Sequence, residues 1–194
     1  LQALKKQLPR PVRLCVAMDS WYFVKSLYVE IEKLEFDWVT KAKKNTLLYR
    51  KVRIRGKERF IEILPEALFK EAKPLFAFWR KKKSVCMAFK DIYIKIDEIH
   101  NGQGYLKEPI LKPVSAVVTA NLQEDLEQGH IKGTFALLLS NNTGFTAVEV
   151  VQNYKRRWSI EVFFRNAKQE LGLNDCHSTN ENHIHAHLSI LFTA

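Results

Sequence analysis

Five side chains in the C-terminal quarter, Tyr154, Arg157, Trp158, Glu161 and Lys168, combine types and spacing that suit chemistry on a charged substrate. They fall within Gly144 to Leu173, GFTAVEVVQNYKRRWSIEVFFRNAKQELGL, which contains no proline and reads as one long helix from an N-cap at Thr146 to a stop at Gly172. Steps of three, four and seven residues separate Tyr154, Arg157, Glu161 and Lys168, so at about 3.6 residues per turn all four project from one face. That face holds a carboxylate, two cations and a phenol. Spacing alone leaves two readings open. One is a solvated helix face with an Arg157–Glu161 pair worth about 0.3–0.5 kcal/mol. The other is an acid that binds a metal, flanked by groups that hold phosphate oxygens. Trp158, on the flank of the stripe, reads as a packing residue rather than a base-stacking one.

A second carboxylate stands out near the other end. Val12 to Met18 (VRLCVAM) is a short, nearly continuous apolar run that fits a strand buried on both faces, and it ends at Asp19-Ser20. Apolar residues then recur at Phe23, Leu27, Ile31 and Leu34, a helical stripe. Asp19 therefore sits where a strand meets a helix, the end at which open α/β sheets bind ligands. The alternative role is an N-cap for that helix.

The elements that must position these residues follow from the pattern between them. Phe36 to Lys41 reads as another strand. From Leu47 to Leu139 the period changes to two: Val52–Arg55, a turn at Gly56-Lys57 and Arg59–Ile63 form a hairpin, and Ser84–Phe89, Ile92–Ile96, Val114–Thr119 and Thr134–Leu139 add strands of an antiparallel sheet with one face wet. Pro65 to Trp79 is ambiguous between a short helix and a loop, and Asn101 to Gly104 is a turn. There is no internal repeat, glycine-rich phosphate loop or low-complexity tract.

The chain has 194 residues, 46% of them hydrophobic, enough for a real core in one domain or one domain with a large insertion. Its formal charge is +10, with a pI near 9.5. The excess is clustered at Lys41–Lys44, Arg50–Arg55, Arg80–Lys83 and Lys155–Arg157, which favours a polyanionic partner. Arg80–Lys83 reads equally as a solvated loop or a phosphate contact. Cys15, Cys86 and Cys176 are far apart and form no Cys-x2-Cys pair, so they read as reduced thiols rather than a disulfide frame or zinc site. His183, His185 and His187 have no glutamate between them in a zincin pattern and read as surface or capping residues. Neither a leader nor an apolar run of about 18 residues is present, so no membrane association and a cytoplasmic location are expected. The chain opens at Leu1 and closes on the apolar run Leu188 to Ala194, and both ends look cut.

Tyr154-x2-Arg157-x3-Glu161-x6-Lys168, with Trp158 inside it and Leu171-Gly172-Leu173 after it, resembles the signature of DDE transposases of the bacterial insertion-sequence-four group. Met18-Asp19-Ser20-Trp21-Tyr22 resembles the strand that carries that group's second catalytic aspartate. The resemblance implies an α/β fold, a partial RNase H-like (retroviral integrase-like) core interrupted by a β-rich insertion. Residues 1–45 would hold the strand with the second Asp, a helix and a strand; residues 46–140 the insertion; residues 141–194 the C-terminal core helices. It implies that Asp19 and Glu161 are catalytic and bind metal, two Mg2+ or Mn2+ ions in a complete site. Tyr154, Arg157 and Lys168 would bind phosphates of double-stranded DNA, transposon ends and target, in a homodimer. The chemistry implied is phosphodiester hydrolysis at the transposon end followed by strand transfer. The family's first catalytic Asp belongs upstream, and no aspartate precedes Asp19. The expectation is therefore a C-terminal part of the catalytic domain, inactive alone. The alternative is a nonenzymatic basic DNA-binding module or decayed transposase remnant.

Overall fold

The computed structural model describes residues 14–78, 84–100, 107–124, 131–170, 172 and 177–193. These divide into two compact units, Leu1–Tyr154 and Lys155–Ala194. The predicted turn at Asn101 to Gly104 and the basic run Arg80–Lys83 lie outside the described residues.

The first unit is a mixed α/β structure on one seven-stranded sheet. Its strands are β1 (Cys15–Met18), β2 (Asp37–Lys41), β3 (Leu48–Ile54), β4 (Lys57–Ile63), β5 (Ser84–His100), β6 (Lys107–Glu124) and β7 (Ile131–Ser140). Their order across the sheet is β1-β2-β7-β6-β5-β3-β4. Only β1 and β2 are parallel, and helix α1 (Lys25–Lys33) makes the crossover that such a pair requires. The strands within residues 46–140 are antiparallel and continue the same sheet, because β7 pairs with β2 through Val39–Ser140, Thr40–Leu139 and Lys41–Leu138. β3 and β4 form the expected hairpin, with Arg55 and Gly56 both at positive φ (49° and 77°) in the two-residue turn.

Two predicted strands prove to be one. Ser84–Phe89 and Ile92–Ile96 are halves of β5, whose register on β6 shifts between Phe89 and Ile92, with Asp91 at φ 58°. The sequence shows this irregularity as a phase slip in the alternation, which resembles a turn. Pro65 to Trp79 resolves as helix α2 (Pro65–Phe78), with proline at the first helical position where its missing N–H costs nothing.

Apolar side chains fill both faces of the sheet. One face receives α1 and α2, with Tyr28, Ile31, Leu68, Ala72 and Phe76 packed around Trp38, Leu139 and Val118. The other receives α3 (Ala147–Lys155), with Val150 against Val39, Val117 and Leu138. The second unit contains α4 (Trp158–Gln169) and α5 (Glu181–Thr193).

The single long helix expected from Thr146 to Gly172 is instead two, α3 and α4, separated at Arg156-Arg157. Hydrogen bonds there tighten to the three-residue step: Ser159 N–H donates to Arg156 O (3.1 Å) and Ile160 N–H to Arg157 O (3.1 Å). The Ser159 hydroxyl also donates to Arg156 O at 2.5 Å, a local side-chain bond that competes with the regular helix. The expected cap holds. Thr146 Oγ1 accepts from Glu149 N–H (3.3 Å) while Glu149 Oε2 accepts from Thr146 N–H (2.8 Å), a reciprocal capping box.

Candidate functional site

Asp19 leaves the carboxyl end of β1 with extended backbone, φ −73° and ψ 157°. Side chains of β1 alternate, so Val16 and Met18 join the core under α1 while Cys15 packs toward α3. One further step in that alternation puts Asp19 on the Cys15 side, the face that α3 covers. Ser20 Oγ donates to Asp19 Oδ1 at 3.0 Å. The helix-cap alternative does not hold: Asp19 makes no side-chain capping bond, a one-turn 3-10 segment (Ser20–Tyr22) follows it, and α1 starts later, after Val24.

What fixes this strand end is the aromatic cluster of Phe23, Tyr28 and Trp38, whose ring centroids lie 5.3 to 5.8 Å apart. Trp38 is fully buried, and its Nε1–H donates to Glu32 Oε1 at 2.9 Å, while Lys112 pairs with the other Glu32 oxygen. At the opposite end of β2, Asn141 Oδ1 accepts from Trp38 N–H (2.7 Å), Asn141 Nδ2 donates to Phe36 O (3.2 Å), and Asn142 Nδ2 donates to the buried Asp37 (3.1 Å). This clamp fixes β2 against the end of β7. Sequence reading missed it, because asparagines at a strand end signal only a turn.

Tyr154, on α3, packs against the cluster formed by Val39, Val117, Leu138 and Val150. By that alternation Asp19 falls on the face of the sheet against which Tyr154 packs.

Arg157, Glu161 and Lys168 belong to the second unit. Arg157 caps the start of α4 with helical backbone, and its Nη1 lies 2.6 Å from Glu161 Oε1, so these two are brought together. Their side chains are 22% and 40% exposed, a half-open pair. Lys168 is exposed in the last turn of α4, where a cation complements the helix dipole. Trp158 does not fill the packing role expected of it. Its ring is 54% exposed, with the Arg165 guanidinium 5.9 Å above it.

The three histidines of α5 each have a local partner: His183 Nδ1 lies 3.2 Å from Ser178 Oγ, His185 Nε2 3.6 Å from Glu181, and His187 Nε2 3.1 Å from Gly172 O. Among the described residues no group of three or more His, Cys, Asp or Glu is placed to hold a metal ion. Nor is any helix among them long and apolar enough to cross a membrane.

An aspartate at the end of a parallel strand and an Arg–Glu pair opening a later helix are the features to set beside known families. A sequence model described as "Transposase DDE domain" matches residues 1–194. The chain belongs to the transposase DDE domain family. No curated protein matches it.

Membership in the DDE transposase family implies a DNA substrate, and this family typically uses divalent metal ions. Asp19, in the first unit, and Glu161, in the second, are each carboxylates, the hard oxygen donors that such ions take.

Proposed function

We propose that this chain is the C-terminal part of the catalytic core of a DDE transposase of the insertion-sequence-four group, acting on double-stranded DNA at transposon ends and target. In this reading the fold is RNase H-like, β1 is the strand of the second aspartate, residues 46–140 are the β-rich insertion and residues 141–194 return to the core. Asp19 and Glu161 are the second and third carboxylates. The observation that supports the reading is Asp19 itself: it stands in extended backbone at the carboxyl end of a parallel strand and makes no side-chain capping bond to the turn that follows.

Each residue then has a task. Asp19 and Glu161 would each ligate divalent ions, which when bound would activate the attacking oxygen and stabilise the leaving oxygen in hydrolysis and strand transfer. Arg157 orients Glu161 through their contact, and a guanidinium is the group suited to gripping a phosphate in a fork. Lys168 adds a mobile point charge, and the Tyr154 hydroxyl adds a hydrogen bond to the strand. These contacts position DNA without reading its bases. Two copies would serve the two ends.

Among the described residues β1 pairs only with β2, so its other side is open to a further strand. That is where a strand bearing the first aspartate would pair. The test is divalent-metal-dependent nicking of duplex DNA by a longer chain that supplies such an upstream strand, compared with its Asp19→Asn and Glu161→Gln variants. Nicking that falls to background in both supports the assignment, and nicking that survives either substitution overturns it. The 194 residues by themselves are expected to bind duplex DNA without nicking it. A nonenzymatic DNA-binding role is the second reading. It is supported by the formal charge of +10, and it gains if the longer chain binds but never nicks.

A further inference from the structure

Two large aromatic side chains follow Asp19 after a single serine, and both face solvent: Trp21 is 78% exposed and Tyr22 64% exposed. Exposure of this degree is unusual for adjacent aromatics beside a buried core, since burying either ring would stabilise the fold. They sit in the one-turn segment Ser20–Tyr22, which Tyr22 N–H closes on Asp19 O at 3.0 Å. Phe23, next in sequence, turns inward onto Tyr28 and Trp38 and anchors the segment. The exposed pair is therefore held on a short, tied turn rather than on a loose loop.

Cations gather at the same place. Because β1 and β2 run parallel, the segment after Met18 and the segment after Lys41 leave the sheet at one end. Lys41, Lys43 and Lys44 are all exposed, and Lys43 Nζ lies 4.9 Å from the centre of the Trp21 ring. A flat aromatic surface, an ammonium group against it and further lysines close by are what single-stranded nucleic acid binds: the base stacks on the ring and the backbone phosphates meet the cations.

We propose that Trp21 and Tyr22, with Lys43, form a stacking platform for an unpaired nucleobase of a DNA strand end next to Asp19. The inference rests on the DNA-processing reading above and deepens it by naming the form of the substrate at this end of the sheet: a base outside the duplex. A base held on this turn draws its own backbone toward the Asp19 carboxylate, which gives the enzyme a preference for frayed or distorted ends, where unpairing costs least.

The test is fluorescence-anisotropy titration of the 194-residue chain with two labelled DNAs of equal length, one blunt and fully paired, one with two unpaired nucleotides at an end. The wild type is expected to prefer the unpaired end by about tenfold, within the range that stacking of one base supplies. Trp21→Ala should abolish that preference while leaving affinity for the blunt duplex unchanged, and Trp21→Phe should restore most of it. The exposed position of Trp21 means that truncation removes little core contact, and far-ultraviolet circular dichroism of the variant checks that the fold is intact. Equal affinity of the wild type for both DNAs, or a preference that survives Trp21→Ala, overturns the platform. Parallel loss on both DNAs also overturns it, since that pattern marks a general contact. The two proposals fail differently. Duplex binding without end preference sinks the platform alone, whereas failure to bind either DNA sinks the DNA reading and the platform with it.

Discussion

Lys168 and Thr40 show how far a single side chain can be argued. Lys168 is exposed on α4 with no carboxylate contact to account for it structurally among the described ion pairs, so its removal should leave stability nearly unchanged. Its effect is expected on DNA instead: Lys168→Ala should weaken duplex binding uniformly across sequences and flatten the slope of log affinity against log salt by about 0.9, one phosphate's worth. A salt titration of both proteins reads this directly, and an unchanged slope removes Lys168 from the phosphate contacts. Thr40 is the converse case. It is fully buried on β2, opposite Met18, and its Oγ1 has no hydrogen-bond partner among the described residues. Replacing that hydroxyl by a methyl removes a desolvation penalty at almost constant volume, so Thr40→Val should raise stability by about 1 kcal/mol in urea unfolding. A loss of stability would mean that the hydroxyl is satisfied.

At the scale of elements, α3 owes its start to the Thr146–Glu149 box. The Glu149 carboxyl is held below the ordinary glutamate value, first by the Thr146 backbone N–H and then by the Thr146 hydroxyl, which both favour the charged form. A lowered folded value means that this contribution is present above the unfolded-state pKa and is lost as pH falls through the folded one. The difference in Tm between wild type and Glu149→Gln should therefore be constant above about pH 6 and shrink below about pH 4. A gap that persists in acid would show that the cap does not depend on charge. The cap at Thr146 was legible in advance, though not its Glu149 half, as were β1, β2 and the β3–β4 hairpin, whose apolar runs and glycine turn carry strong local signals. The break between α3 and α4 was not. Arg156-Arg157 contains neither proline nor glycine, and the Ser159 hydroxyl that takes the Arg156 carbonyl is an ordinary helix residue until its hydrogen bond is seen. Of the candidate residues, spacing already offered the Arg157–Glu161 pair that the structure forms, whereas the lack of a side-chain capping bond at Asp19 is seen only in the structure, because a strand-end aspartate before a helical stripe carries the same local signal as a cap.

For the whole molecule, stability is distributed unevenly between the two units. Strands β2, β6 and β7 bury side chains on both faces, whereas among the described residues of the second unit only Ala167 is buried. Amide exchange should follow that contrast, slowest in Val39 to Thr40, Val114 to Ala120 and Leu137 to Ser140, and markedly faster through α4 and α5. Uniform protection across both units in a hydrogen-exchange experiment would contradict it.

The width of the sheet has a consequence on the scale of the substrate. β1, with its aromatic turn, and β4, beside the hairpin cations Arg53, Arg55, Lys57 and Arg59, form opposite edges. Six strand spacings of about 4.8 Å separate them by roughly 29 Å. Along a duplex, with one charge per roughly 1.7 Å of axis, the same span is about eight or nine base pairs. DNA bound as proposed above would meet the two edges nearly one helical turn apart. A duplex end gripped at β1 would present its next inward-facing phosphates at the hairpin, and a nuclease footprint of bound DNA should show two protected patches at that interval.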